Sequence, residues 1–264
     1  MVLRPFHRPL GDTGLTVSPL GLGTVKFGRN RDVKYPDPFA LPSDADVRKL
    51  LDVAQGLGVN LLDTAPAYGA SETRIGELIE RREDWILCTK AGESWDERGS
   101  TFDFSGSAIR ASVHRSLERL RTEFIDVVMI HSSGADEAIL RGDAVSTLMD
   151  LKREGLIRAV GMSTKPPEGT HLAAETCDVL MTTYSPDEPE VREAATAAAG
   201  RGRGLLVKKA LQSGHWLGPD VLTEPLKGTS VSSVVVGTIN PEHLRANAEL
   251  VASALGPRTA ETPS

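Results

Sequence analysis

Cysteine is nearly missing from this sequence. Its 264 residues include two, Cys88 and Cys177. That is too few for a disulfide framework and points to a reduced, cytoplasmic compartment. A surplus of positive charge is missing too. Lys and Arg number 30 against 36 Asp and Glu, a net charge of −6, which argues against a broad nucleic-acid surface. No apolar run reaches the length of a membrane span. The opening MVLRPFHRPLGDTG has no apolar stretch of the kind a secretory signal needs. There are no low-complexity tracts and no linker, so one domain over residues 1–256 is expected. Residues 257–264 are expected to form a disordered tail of small polar residues and prolines. No metal site is expected, and nothing demands an oligomer, so a monomer or a weak homo-oligomer is anticipated.

What is there is a regular alternation. The apolar fraction is 40%, enough for a large core. Strands are predicted at Leu20–Gly23, Asn60–Thr64, Trp85–Lys90, Phe124–His131, Ala159–Ser163, Val179–Thr183, Gly204–Lys209 and Val231–Gly237. Most precede a helical pattern. Ser43-Asp44-Ala45-Asp46 caps one helix, with Val47, Leu50, Leu51 and Ala54 on one face. Ser71 opens a second, with Ile75, Leu78 and Ile79 as its stripe. Ala108, Val113, Leu117 and Leu120 mark a third. Ala144, Leu148 and Leu151 mark a fourth, ending at Gly155. His171–Glu175 reads as a short helix, Glu190–Ala199 as an Ala-rich one, and Pro241 begins the last, Glu242–Leu255. Ser213–Ser230, with its prolines and glycines, reads as irregular. Eight strands alternating with helices are the pattern of an α/β fold, a closed (β/α)8 barrel of the TIM type. Gly11-Asp12-Thr13-Gly14 is turn chemistry between short apolar stretches, so an N-terminal β-hairpin is expected to close the bottom of the barrel.

In such a barrel, chemistry sits at the carboxyl ends of the strands. Asp63, Lys90 and His131 end three successive predicted strands, and Tyr68 lies in the loop after Asp63. Side chains alternate along a strand. Asp63 therefore shares a face with Leu61, Lys90 with Cys88 and Ile86, and His131 with Met129 and Val127. If those apolar residues point into the barrel, the polar ones converge at its upper end. Asp63 could pair a buried Lys90. The ammonium would favour a Tyr68 phenolate and is expected to draw its pKa from about 10 toward neutrality, the range of a general acid or base. His131 would add a donor to a carbonyl oxygen. Each residue alone has an ordinary structural reading as a cap, a packed ring, a strand end or a core histidine. Their gathering at one rim is what suggests catalysis.

At these residues the chain resembles the aldo-keto reductase family. RPLGDTGLTVSPLGLGT is similar to that family's hairpin and first strand. LLDTAPAYGASETRIGELI is similar to its Asp-to-Tyr motif. ILCTKAG carries the lysine and VVMIHSS the histidine, and GLIRAVGMST and VVVGTINPEHLRAN resemble its cofactor-side motifs. The resemblance implies reversible reduction of aldehydes or ketones with NAD(P)H. Tyr68 would be the proton donor, Lys90 its neighbour, Asp63 the partner of the lysine and His131 the group that orients the substrate.

The resemblance also implies a cofactor lying along the rim. Gly23, Thr24 and Asp63 would lie near the nicotinamide. Ser163, Thr164 and Met181 would meet the carboxamide, and Lys208, Lys209 and Leu211 would come next along the rim. Gly237, Thr238, His243 and Asn247 would hold the adenosine end, where helix N–H groups favour phosphate. Thr164, Met181, Lys208, Gly237 and His243 depart from the usual family pattern. Charge on His243, Arg245 and Lys208 places NADP(H) ahead of NAD(H). Phe27, Trp95, Tyr68 and His131 are the expected substrate-binding residues, with Tyr35 and Trp216 as further aromatics of the pocket. The loops Lys26–Leu41 and Gly92–Ser105 are lid candidates. Two other readings remain open. One is a dinucleotide-binding redox sensor or regulatory subunit with little turnover. The other is a barrel lyase or isomerase using the rim lysine for imine chemistry.

Overall fold

Short aliphatic runs, too few in residues to be helices, pair in parallel and close on themselves. The computed structural model describes residues 2–35, 37–165, 167–184, 189–208, 220–227 and 231–256. Strands β1 (Arg8–Pro9) and β2 (Thr16–Val17) form an antiparallel hairpin. Next come β3 (Leu20–Gly23), a helical turn α1 (Val25–Gly28), α2 (Asp44–Leu57), β4 (Leu61–Asp63), α3 (Ser71–Leu78) and β5 (Ile86–Ala91). A second hairpin, β6 (Glu93–Asp96) and β7 (Gly99–Phe102), leads into α4 (Gly106–Leu120) and β8 (Ile125–His131). Helices α5 (Asp136–Arg141) and α6 (Asp143–Arg153) lead to β9 (Ile157–Ser163), α7 (Pro167–Thr176), β10 (Val179–Thr183) and α8 (Pro189–Gly200). The remaining elements are β11 (Gly204–Lys208), α9 (Asp220–Lys227), β12 (Ser233–Gly237) and α10 (Pro241–Leu255). The barrel order is β3-β4-β5-β8-β9-β10-β11-β12, with β12 returning to β3. This is the expected (β/α)8 barrel.

Local chemistry explains the helices. Ser43 and Asp46 form a reciprocal capping box at the start of α2, and Gly58 ends it at φ 87°, a cap of this kind being worth about 1 kcal/mol. Val47, Leu50, Leu51 and Ala54 are buried on its inner face. Asn240 caps α10 by accepting from Glu242 N at 2.9 Å, with Pro241 in the first turn. Gly155 stands just beyond α6 at φ 81°.

Two cores result. One lies between the sheet and the helices and includes Leu22, Leu62, Trp85, Val128 and Leu148. The other fills the barrel and includes Leu61, Cys88, Val127, Met129, Ala159, Val179, Met181, Leu206 and Val235. Leu10, Leu15 and Val17 of the first hairpin belong to that inner core. Asp12 N donates to Gly202 O at 2.8 Å, just before β11 begins, and Arg8 donates to Val231 O and Leu226 O, both at 2.9 Å. The hairpin therefore closes the amino-terminal mouth, as expected.

Some expectations need correction. The segment predicted as a Gly- and Ser-rich loop, Gly92–Ser105, is largely the β6–β7 hairpin. The stretch Ser213–Ser230 contains α9, which tolerates Pro225 inside it because Leu222 and Leu226, one turn apart, bury the same face. Helix α7 is longer than His171–Glu175, since Thr170, Ala173 and Ala174 are buried along it. Strand β9 starts two residues earlier than predicted and β12 two later. The loop Lys26–Leu41 begins inside α1. Lys209, Leu211, Trp216 and residues 257–264 lie outside the described residues.

Candidate active site

The alternation argument fixes which side chains meet. Leu61, Cys88, Val127 and Met129 face the barrel interior, so Asp63, Lys90 and His131, at even spacing from them, face its carboxyl-terminal end. Tyr68 reaches the same place by a different device. After β4 the chain makes a single 3-10 turn, Pro66–Tyr68, closed by Tyr68 N donating to Ala65 O at 3.0 Å. Gly69 follows at φ 61°, and a Cβ there would stand 2.2 Å from Gly28 O. Only glycine fits, and the close approach seats the turn against α1.

The Lys90 ammonium donates to Asp63 Oδ1 at 2.6 Å, to Thr64 O at 2.9 Å and to the Tyr68 hydroxyl at 3.3 Å. The Tyr68 and His131 rings meet edge to face with centroids 6.2 Å apart. The structure therefore brings Asp63, Tyr68, Lys90 and His131 into one cluster. Burial pulls the Lys90 pKa down, but Asp63 and Tyr68 outweigh it and the ammonium is held charged, its pKa raised. The expectation of a Tyr68 phenol near neutrality is corrected. Burial outweighs the lowering by Lys90, and the phenol is pushed up to about 12. The Cys88 thiol is also raised, chiefly by burial.

One neighbour was not foreseen. Glu93, the first residue of β6, places Oε2 2.7 Å from His131 Nδ1. The two are close, but the contact is too bent for a straight hydrogen bond. Burial raises the Glu93 carboxyl, but His131, Ser100 and Arg29 overcome that and hold it at about 2. His131 is lowered, mainly by burial and also by Lys90 and Lys208, against the pull of Glu93. Arg29 was likewise missed. It donates to Ala67 O at 3.1 Å and to Arg31 O and Asp32 O at 2.9 Å, and it lies 4.4 Å from the Trp95 ring centroid. Trp95 Nε1 in turn donates to Asp32 Oδ2 at 3.1 Å. The hairpin and the Tyr68 turn are thus tied to one guanidinium. The acid–aromatic alternation Glu93, Trp95 ahead of Gly99 was the sequence signal for this hairpin.

Other predicted residues occupy the rest of the rim. Gly23 pairs in register with Gly237 on one side and Asp63 on the other. Thr24 is fully buried, its hydroxyl donating to Asp63 O at 3.0 Å and accepting from Ser71 at 2.8 Å. Lys208 Nζ donates to Ser163 Oγ and Thr164 O, both at 2.7 Å. Thr164 is buried with its hydroxyl 2.8 Å from that of Thr170, and Met181 belongs to the inner core. Thr238 bonds to the Asn240 backbone, His243 is exposed and Asn247 half-buried on α10. Tyr35 lies over the Gly23–Gly237 seat: a Cβ on Gly237 would come within 2.5 Å of its hydroxyl. Phe27 is the exception. It is fully buried in the outer core and offers no surface to a ligand, so its expected place in a substrate pocket is corrected. Helix α1 turns that ring inward.

A closed parallel barrel with ionisable groups gathered on its carboxyl-terminal rim defines the class, a (β/α)8 barrel enzyme. Residues 19–195 match the family model described as the Aldo/keto reductase family, and the chain belongs to that family. A crystal structure from Pseudomonas aeruginosa, described as an aldo-keto reductase, is 48% identical and superposes with a TM-score of 0.88, covering 96% of this chain and 97% of that one. The holo form of an aldo-keto reductase from Bacillus halodurans is 25% identical, with a TM-score of 0.80 over 97% of this chain and 93% of its own. Among curated proteins, the uncharacterized oxidoreductase YqkF of Bacillus subtilis is 32% identical over 77% of this chain and 67% of its own length. The NADH-specific methylglyoxal reductase of Escherichia coli is 32% identical over 67% of this chain and 58% of its own. The chain thus spans about two thirds or less of the length of these two curated relatives.

Proposed function

We propose that this protein reversibly reduces aldehydes or ketones to alcohols with a nicotinamide dinucleotide, and that Tyr68 is the proton donor. The reading rests on one observation: the Lys90 ammonium bridges Asp63 at 2.6 Å and the Tyr68 hydroxyl at 3.3 Å. Lys90 and Asp63 neutralise each other, which lets both sit buried. With its pKa raised by burial, the phenol keeps its proton at neutral pH. It can release that proton to a substrate oxygen that is gaining charge, and the ammonium then stabilises the phenolate left behind. His131 orients the carbonyl.

The rim fits a dinucleotide. Gly23 and Gly237 carry no side chains of their own beside Asp63, and the Tyr35 hydroxyl lies over that place. Ser163 and Lys208 supply polar atoms on the next strands, and the start of α10 supplies a helix N-terminus. Gly23, Ser163, Lys208, Gly237, Thr238, His243 and Asn247 would hold the cofactor. When bound, it supplies the electron pair and hydrogen that the carbonyl carbon receives. Arg245 and His243 are exposed on α10, and with Lys208 they offer charge to a 2′-phosphate. On that charge we place NADP(H) ahead of NAD(H). Trp95 and Tyr35, aromatics at the mouth, place aromatic and alkyl carbonyls ahead of sugars.

Fluorescence titration with NADPH and NADH, followed by an aldehyde, ketone and sugar panel read by loss of reduced-nicotinamide absorbance, tests this reading. Tyr68→Phe should abolish reduction and leave cofactor affinity within about twofold. Undiminished turnover in that variant overturns the mechanism, and dinucleotide binding with no turnover across the panel favours the redox-sensor reading.

A further inference from the structure

We infer that Glu93 is a positioning residue that keeps a proton on Nδ1 of His131 and so decides what Nε2 offers to the substrate. The inference rests on the reductase reading and deepens it. Glu93 Oε2 and His131 Nδ1 are 2.7 Å apart, and neither side chain is more than 21% exposed. A carboxylate oxygen and a bare imidazole lone pair would repel at that distance, so the contact favours a proton on Nδ1 even though its N–H does not point straight at the oxygen. Among the described residues no hydrogen bond reaches Nε2, and Nδ1, with Glu93 beside it, makes no straight one either. With Nδ1 protonated, the neutral ring presents a lone pair at Nε2, and only the imidazolium presents an N–H there.

The consequence is a dependence of direction on pH. An imidazolium donates to a carbonyl oxygen and suits reduction. A neutral ring accepts from a hydroxyl and suits alcohol oxidation. Several charges act on that choice. Glu93 from β6 favours the imidazolium. Lys90 from β5 and Lys208 from β11 oppose it. The Tyr68 phenol faces the ring from its own turn, and Arg29 and Ser100 act on Glu93 from behind. The hairpin is thereby more than a cover over the mouth, because its first residue sets the polarity of the substrate contact.

The test begins with side-chain 15N NMR of the intact protein across pH, with His131→Asn used to assign the His131 signals. The expected wild-type pattern is a protonated Nδ1 throughout, with Nε2 titrating. In Glu93→Gln the titration should move down by about one to two pH units, the size of one close charge pair, and Glu93→Asp should restore part of it. Glu97→Gln removes a charge from the turn of the same hairpin and should leave the titration where it was. The alkaline fall in kcat for reduction should move down with the NMR midpoint in Glu93→Gln. A neutral wild-type ring protonated on Nε2, an unmoved titration in Glu93→Gln, or a moved titration with an unmoved rate profile would each overturn the inference. The NMR readout needs no turnover. A protein that reduces nothing yet shows the expected titration sinks the reductase reading and upholds the hold of Glu93 on Nδ1.

Discussion

At the scale of single residues, the site is a set of buried groups whose charges are balanced locally. Tyr35 and Tyr68 are each pushed up to about 12, first by burial, whereas an unfolded tyrosine ionises near about 10. Between those values the unfolded chain releases protons that the folded chain keeps. This contribution to stability is therefore full below about pH 10 and is lost as pH rises toward about 12. We expect Tyr68→Phe to unfold less readily than the wild type as pH is raised through that window, read from denaturant midpoints, while the two differ far less in pH dependence near neutrality. An equal alkaline loss in both would mean that Tyr68 ionises normally. Lys90 and Asp63 are balanced in the same way, at 2% and 7% side-chain exposure. Lys90→Met leaves the carboxylate buried without its cation, which typically costs about 3–5 kcal/mol. We expect Asp63→Asn added to Lys90→Met to recover much of that in urea unfolding, with activity lost in both. A double variant no more stable than the single one would show that the pair is not coupled.

At the scale of elements, the Tyr68 turn depends on backbone fit. Gly69 has φ 61°, and its α-carbon faces Gly28 O so closely that a Cβ would stand 2.2 Å away. Gly69→Ala combines the strain of a positive-φ backbone that side chains rarely adopt, about 1–3 kcal/mol, with a clash against backbone that cannot swing aside. We expect lower thermal stability and a loss of kcat larger than the loss of cofactor affinity, because the turn moves Tyr68 and not Gly23 or Gly237. Equal losses in both would place the damage in the barrel as a whole. The same scale shows why some elements were hard to read. Strand β6 alternates between half-buried and exposed residues, β7 is exposed after its first residue, and no residue of either is fully buried. Their residues, Glu-Ser-Trp-Asp and Gly-Ser-Thr-Phe, therefore lack the apolar alternation that marks a strand. Glu93 stayed hidden for that reason, whereas Arg29 lies just past α1, outside any strand pattern. Helix α9 was obscured by Pro225 and the glycines around it, because local breakers hid the Leu222–Leu226 face that tertiary packing uses.

At the scale of the whole molecule, the two ends of the barrel do different work. The barrel itself was legible because its strands are aliphatic runs at regular spacing. Asp63, Lys90 and His131 were legible because period-two alternation ties them to Leu61, Cys88 and Met129 inside it. What alternation cannot supply is the balance between burial and charge, and so the Tyr68 shift came out with the opposite sign. It also cannot tell which way a helical turn faces, and Phe27 was misplaced on that account. The amino-terminal mouth, by contrast, is held by packing and by hydrogen bonds from the first hairpin to the barrel backbone. Leu10 is fully buried among inner-core residues, below Val127 and Leu206 and at the far end from His131. Leu10→Ala leaves a cavity there, at a cost of about 2–5 kcal/mol. If stability is built at the bottom and chemistry at the top, this variant should unfold at lower urea concentration while NADPH affinity and kcat stay within about twofold of the wild type. The parallel strands run the full height of the barrel, so the opposite outcome is physically available: a loosened plug could shift β11 and with it Lys208 and Ser163. A weakened dinucleotide affinity with little change in unfolding would establish that coupling and end the division of labour between the two mouths.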